Sequence, residues 1–238
     1  MTLPLYQTDS YLREFRAVII AVDTEQSSIA LDKTAFYPGG EGQPCDFGHI
    51  VLENAKIMIS GVKRSGEMIW HRSESELPGA GTAVRGVLDW ERRYRLMRTH
   101  TANHILCGVI WRDYGASVTG GSMEPLASRM DFEFEILKAE LVREIEEKIN
   151  IEVDNARDVV VRILPRDEAF RIPDLIRTRI NLLPEDITEI RTVEIVGLDL
   201  QADGGTHVAN TREVGPIRII DYKSKGRINK RIHLALEG

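Results

Sequence analysis

The sequence predicts an α+β protein in which a small antiparallel β-barrel domain, residues 1–90, precedes an α+β domain, residues 91–238. Three observations carry this expectation. Strand-sized apolar runs crowd the N-terminal part, with turn residues between them. The side-chain periodicity switches from strand-like to helix-like just after Trp90. Beyond that point helical and strand patterns both occur.

The elements follow in chain order. Ala17–Val22 is rich in β-branched residues, and Ser28–Asp32 and Ala55–Ser60 alternate, so each predicts a strand. Turn residues separate them at Pro38-Gly39-Gly40, Asp46-Phe47-Gly48, Arg64-Ser65-Gly66 and Pro78–Gly81. Closely spaced strands punctuated in this way predict the barrel, with Thr82–Asp89 as its last strand. Glu91–Tyr114 predicts a helix, because Leu96, Met97, His100, His104 and Cys107 recur at helical spacing, and Gly115 ends it. Met130–Glu135 alternates and predicts a strand. Lys138–Asn150 predicts an amphipathic helix, with Leu141, Val142, Ile145 and Ile149 on one side and Glu140, Glu144, Glu147 and Lys148 on the other. Val159–Leu164 and Thr192–Leu198 predict strands, Asp167–Phe170 a short turn or helix, and Ile217–Asp221 and Arg231–Leu236 two final strands.

Composition narrows the function classes. The chain has 238 residues, of which 42% are hydrophobic, which disfavours disorder. No apolar run approaches the roughly 18–20 residues of a membrane helix. The N-terminus lacks a basic stretch followed by an apolar one, so a cytoplasmic protein with no membrane partner is expected. Two cysteines, Cys45 and Cys107, cannot build a disulfide framework. A net charge of −6 argues against a general nucleic-acid coat and against DNA as a partner. The charge is uneven, however. Arg92, Arg93, Arg95 and Arg98 form one basic stretch, and Arg218, Lys223, Lys225, Arg227, Lys230 and Arg231 form another. Such stretches are candidates for RNA backbone contacts. No Walker or Rossmann glycine loop is present, so ATP dependence is not expected.

Six histidines contain one pair with metal-ligand spacing, His100 and His104. Residues four apart share a helix face, so both imidazoles can reach one ion. Asp203-Gly204-Gly205-Thr206-His207 follows a predicted strand, and its glycines allow a tight loop to turn two side chains toward one point. Three imidazoles and one anion suit Zn²⁺. Thr101 stands where zinc proteases place a glutamate base, which makes peptidase activity a poor match. Cys107 is read as a core residue.

The two histidine motifs together, Arg98–Leu106 and Gly204–Gly215, resemble the editing domain of alanyl-tRNA synthetases and, more closely, the free-standing AlaX trans-editing proteins. Asp32–Gly48, with its glycine-rich core, is similar to that family's glycine-rich motif, as are Asp89–Arg98 and Lys225–Ile232 to further motifs. The resemblance covers about residues 5 to 236 and implies the medium-length class. It implies a zinc-dependent hydrolase that deacylates Ser-tRNA(Ala), with Gly-tRNA(Ala) as a second substrate, acting on the acceptor end of tRNA(Ala). It implies metal ligands at His100, His104 and His207. The family usually carries Cys where this chain has Asp203; the carboxylate can ligate through oxygen, or it can stand off with water in its place, and Gln201 is a weaker oxygen donor nearby. Serine recognition is assigned to Thr119, with Asn103 as a second candidate. Gly39, Gly40, Gly42 and Gln43 are expected to bind substrate. Arg98, Lys225, Arg227, Lys230 and Arg231 are the expected RNA contacts. A zinc or RNA-binding module without editing activity and a threonyl-type deacylase are the competing readings. If Thr119 faces the serine hydroxyl, Thr119→Val narrows the preference for Ser-tRNA(Ala) over Ala-tRNA(Ala); equal rate ratios before and after the substitution reject that role.

Overall fold

Alternation along Glu14–Asp23 (β2) decides the architecture of the N-terminal part. Phe15, Ala17 and Ile19 point inward and are buried, and their neighbours face solvent. The computed structural model describes residues 1–175 and 187–238. Two compact units divide the chain, Met1–Arg95 and Leu96–Gly238. Among the described residues, no helix is long and apolar enough to cross a membrane.

In the first unit, β1 (Leu3–Pro4) pairs in parallel with β4 (Lys33–Thr34). The remaining strands are β2, β3 (Ser28–Leu31), β5 (Gly48–Val51), β6 (Lys56–Ile59), β7 (Gly61–Ser65), β8 (Met68–Arg72) and β9 (Ala83–Leu88). They form one antiparallel sheet in the order β6-β5-β9-β2-β3-β8-β7. The expected barrel is therefore not formed: the sheet is open, with β6 and β7 at its edges. The chain itself explains the open sheet. Closure would require β6 to pair with β7, yet these are successive parts of one run separated by Ser60, so they cannot lie side by side. Glu14–Val18 of β2 pairs with β9 and Ile19–Asp23 with β3, the second register being broken between Ile19 and Ala21. Phe15, Ile19, Ile29, Phe36, Ile50 and Ile69 lead the core so enclosed.

Asp89 caps α1 (Trp90–Tyr114), its carboxylate accepting the Arg92 N–H at 3.1 Å. One turn on, Arg93 is fully buried in the first unit. Its guanidinium clasps the Asp46 carboxylate and donates to the carbonyls of Ser10 at 3.0 Å and Ala35 at 2.6 Å. Asp46 also accepts the Tyr37 N–H at 2.6 Å, so this pair fixes both ends of the glycine-rich loop.

The second unit is built around the rest of α1. A four-stranded antiparallel sheet comprises β10 (Val118–Glu124), β11 (Ala127–Glu133), β15 (Ile217–Ser224) and β16 (Asn229–Leu236), in the order β10-β11-β16-β15. Cys107 of α1 meets Met130 of β11, while Asn103 meets Ser128 and Thr99 meets Leu126, so the helix runs along that strand. The amphipathic helix α2 (Ala139–Asp154) buries Val142, Ile145, Ile149 and Val153. A three-stranded sheet comprises β12 (Val159–Pro165), β13 (Glu189–Ile195) and β14 (Asp199–Ala202), with the short α3 (Arg166–Ala169) after β12.

Leaving Arg93 charged and buried without its partner is costly. Asp46→Asn should destabilise the protein by about 3–5 kcal/mol, read as a lower urea midpoint; an unchanged midpoint rejects the clasp.

Candidate metal centre

Two elements deliver the centre. Helical spacing places His100 and His104 on one face of α1, and the segment after β14 supplies Asp203 and His207. One ligand atom from each lies within 4.8 Å of all the others. None of the four residues is more than 6% exposed. Gly108 sets the approach of the helix to β14. A Cβ there would lie 2.8 Å from Leu198 Cγ and 3.0 Å from Asp199 Cβ. Only a glycine lets α1 come this close, and the contact lies one helical turn beyond His104.

The two oxygens of Asp203 do different work. Oδ2 accepts the Gly205 N–H at 2.9 Å, and His207 Nε2 lies at 2.9 Å and Arg191 Nη1 at 3.5 Å from it. Oδ1 faces His100 Nε2 at 3.3 Å and His104 Nε2 at 3.8 Å. Arg191 also donates to the Asp203 carbonyl at 2.8 Å. Neither Gly204 nor Gly205 takes a left-handed backbone conformation. Gly205 contributes a backbone donor instead of the unusual turn expected from the sequence.

Outer partners orient the rings. His104 Nδ1 is 3.1 Å from Asp199 Oδ2, which also accepts from Gln201 Nε2 at 2.7 Å. His207 Nδ1 is 3.2 Å from the Thr101 hydroxyl. With Nδ1 occupied in both rings, Nε2 is left for the centre.

Burial would raise the Asp203 carboxyl, but the charges of His100 and His207 override it and hold the group well below the usual carboxylate range. Burial, followed by the charge of His100, pushes His207 far down. Burial lowers His100 as well. It also opposes the charged form of His104, yet hydrogen bonds to Asp199 and Asp203 prevail and lift that ring to about 10. The donor set suits zinc: nitrogen and oxygen donors about 2.1 Å from a tetrahedral ion sit ~3.4 Å apart, close to the spacing of Asp203 Oδ1 from the two helical rings.

The other residues singled out by the sequence are placed as follows. Asn103 is buried beside the two helical histidines and accepts from Ser128 Oγ at 2.6 Å. Thr119 lies exposed on β10, where its hydroxyl donates to Asn229 Oδ1 at 3.2 Å; the structure does not bring it into the cluster. Gly39, Gly40, Gly42 and Gln43 belong to the first unit. There Gly40 and Gln43 exchange backbone hydrogen bonds, 3.1 and 2.8 Å, around Glu41 and Gly42, both at positive φ. Arg98 is committed to the carbonyls of Val214 and Glu237. Arg231 pairs with Asp131 at 2.6 Å. Lys230 is buried, whereas Lys225 and Arg227 are exposed. Cys107 packs against Met130.

Sequence reasoning missed Asp199, Arg191, Thr101 and Gly108. Asp199 was within reach: Asp199, Gln201 and Asp203 alternate, so they share one side of an extended segment.

Residues 190–233 match the family described as the threonyl and alanyl tRNA synthetase second additional domain, and residues 10–92 match class II (A) tRNA synthetases. The alanyl-tRNA editing protein AlaX-M of Saccharolobus solfataricus is 38% identical over 242 residues, covering 100% of both chains. The AlaX-M protein of Methanosarcina mazei is 38% identical over 245 residues, covering 99% of this chain and 97% of its own. The alanine–tRNA ligase of Ignicoccus hospitalis is 38% identical over 228 residues, which are 93% of this chain but 24% of that enzyme. Full-length likeness to the free-standing proteins, together with the match to one part of the ligase, defines the family: the chain belongs to the AlaX-M alanyl-tRNA editing proteins, related to the editing domain of class II synthetases.

Proposed function

We propose that this chain is a zinc-dependent trans-editing hydrolase that deacylates Ser-tRNA(Ala), with Gly-tRNA(Ala) as its second substrate. The observation that carries this is the convergence of His100, His104, Asp203 and His207 within 4.8 Å in a buried site of an AlaX-M family member. The need for such an enzyme follows from pocket energetics. A pocket shaped for alanine discriminates weakly against a smaller side chain or one with an added hydroxyl, and a second hydrolytic site supplies the missing selectivity.

A bound zinc ion supplies Lewis-acid chemistry at this point. Everything else is work for the chain. Asp203 and the three histidines hold the site together. Asp199 and Thr101 fix the rotation of His104 and His207, so the donor atoms are positioned before the substrate arrives. Burial removes bulk solvent from around the donor atoms, which strengthens the electrostatic interactions among them. Of the two candidates for recognising the serine hydroxyl, Asn103 has the better support: it is buried on the helix that carries His100 and His104, whereas Thr119 is exposed on β10, and its carbonyl oxygen is fixed by Ser128. The exposed basic residues on the β15–β16 hairpin support an RNA partner, the acceptor end of tRNA(Ala).

Deacylation of Ser-, Gly- and Ala-tRNA(Ala) with and without a chelator tests the proposal directly. His100→Ala and His207→Ala should each lower Ser-tRNA(Ala) deacylation by about 100-fold or more, at or beyond the upper end of what outer-shell changes cost; full turnover in either variant sinks the zinc reading. Asp199→Asn should weaken zinc binding by about 10-fold, measured by competition with a chromogenic chelator. Wild-type affinity in that variant would mean His104 is oriented by other contacts.

A further inference from the structure

The second basic stretch of the sequence lies on the β15–β16 hairpin, and the structure divides its members into two groups. Arg218 pairs with Glu146 at 3.3 Å and Arg231 with Asp131 at 2.6 Å. Lys230 turns inward beneath the hairpin tip, and its ammonium donates to the carbonyls of Gly226 and Arg227, both at 2.8 Å. Lys223, Lys225 and Arg227 remain in solvent. Lys223 has Asp221 at 3.6 Å, while Lys225 and Arg227 have no ion pair within 4 Å among the described residues.

The tip is built, not merely charged. Lys225 N–H donates to the Asn229 carbonyl at 2.8 Å, and Ser224 Oγ donates to Gly226 at 2.9 Å. Lys230 matters most for the electrostatics. Carbonyl oxygens that would repel an anion are drawn under the turn by a buried cation, so the outer surface is left to Lys225 and Arg227. Tyr222 and Ile228 lie exposed beside them, giving apolar surface next to the charges, as on proteins that track a nucleic-acid strand. The register supplies the reach. Asn229 at the tip pairs with Glu133 of β11, and Asn103 beside the metal ligands meets Ser128 of the same strand. The stretch of β11 between them is about 17 Å long.

We infer that the β15–β16 tip grips the sugar–phosphate backbone of the RNA whose ester enters the metal centre. Lys225 and Arg227 make the contacts, and Lys230 shapes the turn beneath them. The identity of that RNA rests on the editing function proposed above; the phosphate chemistry does not.

The test is binding of deacylated tRNA(Ala) to the full chain by fluorescence anisotropy over a series of salt concentrations. Lys225→Glu combined with Arg227→Glu should weaken binding more than tenfold and flatten the dependence of log affinity on log salt by about 2, roughly one per lost contact. Arg143→Glu on the exposed side of α2 makes the same kind of charge change away from the tip, and should stay within about twofold of wild type. Lys230→Met should weaken binding, and Lys230→Arg, which can still donate to two carbonyls, should restore it. A wild-type chain that binds no tRNA, or a double variant with wild-type affinity and salt slope, overturns the grip. Equal binding by the Met and Arg variants overturns the shaping role of Lys230. Tight, salt-sensitive tRNA binding without deacylation of any charged tRNA leaves the grip standing and removes the editing function instead.

Discussion

A carboxylate with almost no solvent exposure, Asp203, is the constraint on which the functional half of this molecule depends. An isolated carboxylate so placed would lose its charge, because the interior does not solvate it. It stays ionised because four groups from three segments surround it: two rings from α1, one ring and a backbone N–H from its own loop, and Arg191 from β13. Each of these segments must therefore be held in place. Gly108 follows from that demand, since any side chain there would push α1 away from Leu198 and Asp199. So do the anchors Thr99–Leu126 and Asn103–Ser128, which fix the helix along β11.

The same logic separates the chemical parts of the recognisable motifs from the mechanical ones. In the segment after His207, Asn210 caps the short turn Thr211–Val214 through a reciprocal pair with Glu213, and its amide donates to Ala156. Thr211 bonds the Glu152 carbonyl and the Arg157 N–H. Glu152 in turn is gripped by Arg112 and Arg157, both at 2.5 Å. These residues lash the metal loop to the end of α2. Arg98 does similar work at the start of the other motif by holding Val214 and Glu237. Sequence proximity to a histidine is thus a poor guide to function here: Arg98 is two residues from His100 yet serves as a strut.

What was legible in the sequence follows from how local each signal is. The helix carrying His100 and His104, the alternating strands and the pairing of a helical half-site with a loop half-site all depend on residues within a few positions of one another. Barrel closure does not. It depends on which strands meet across the sheet, and the run from Lys56 to Ser65, which supplies both edges, carries no local sign that it bends at Ser60. Asp199, Arg191 and Thr101 were hidden for the same reason: each acts through a partner far away in sequence. Basic residues were misleading in a different way. A charge count treats Lys225 and Lys230 alike, but one faces water and the other holds two carbonyls.

Asp203 stands where the family resemblance implies cysteine, and the structure shows why this is more than a change of donor atom. A thiolate presents one sulfur, and the carboxylate presents two oxygens. Here the oxygens divide the labour, with Oδ2 fixed by the Gly205 N–H and Arg191, and Oδ1 turned toward the two helical rings. One oxygen is anchored so that the other is aimed. Sulfur in the same place could serve a metal ion or the anchoring donors, but a single atom meets both demands poorly, and a buried donor left unpaired costs about 1–3 kcal/mol. Oxygen is also the harder ligand, which moves the site's preference away from the softest metals. The anchoring of Oδ2 therefore makes Asp203 a member of a fitted set, in which Arg191 compensates its charge and the Gly205 amide fixes its rotation.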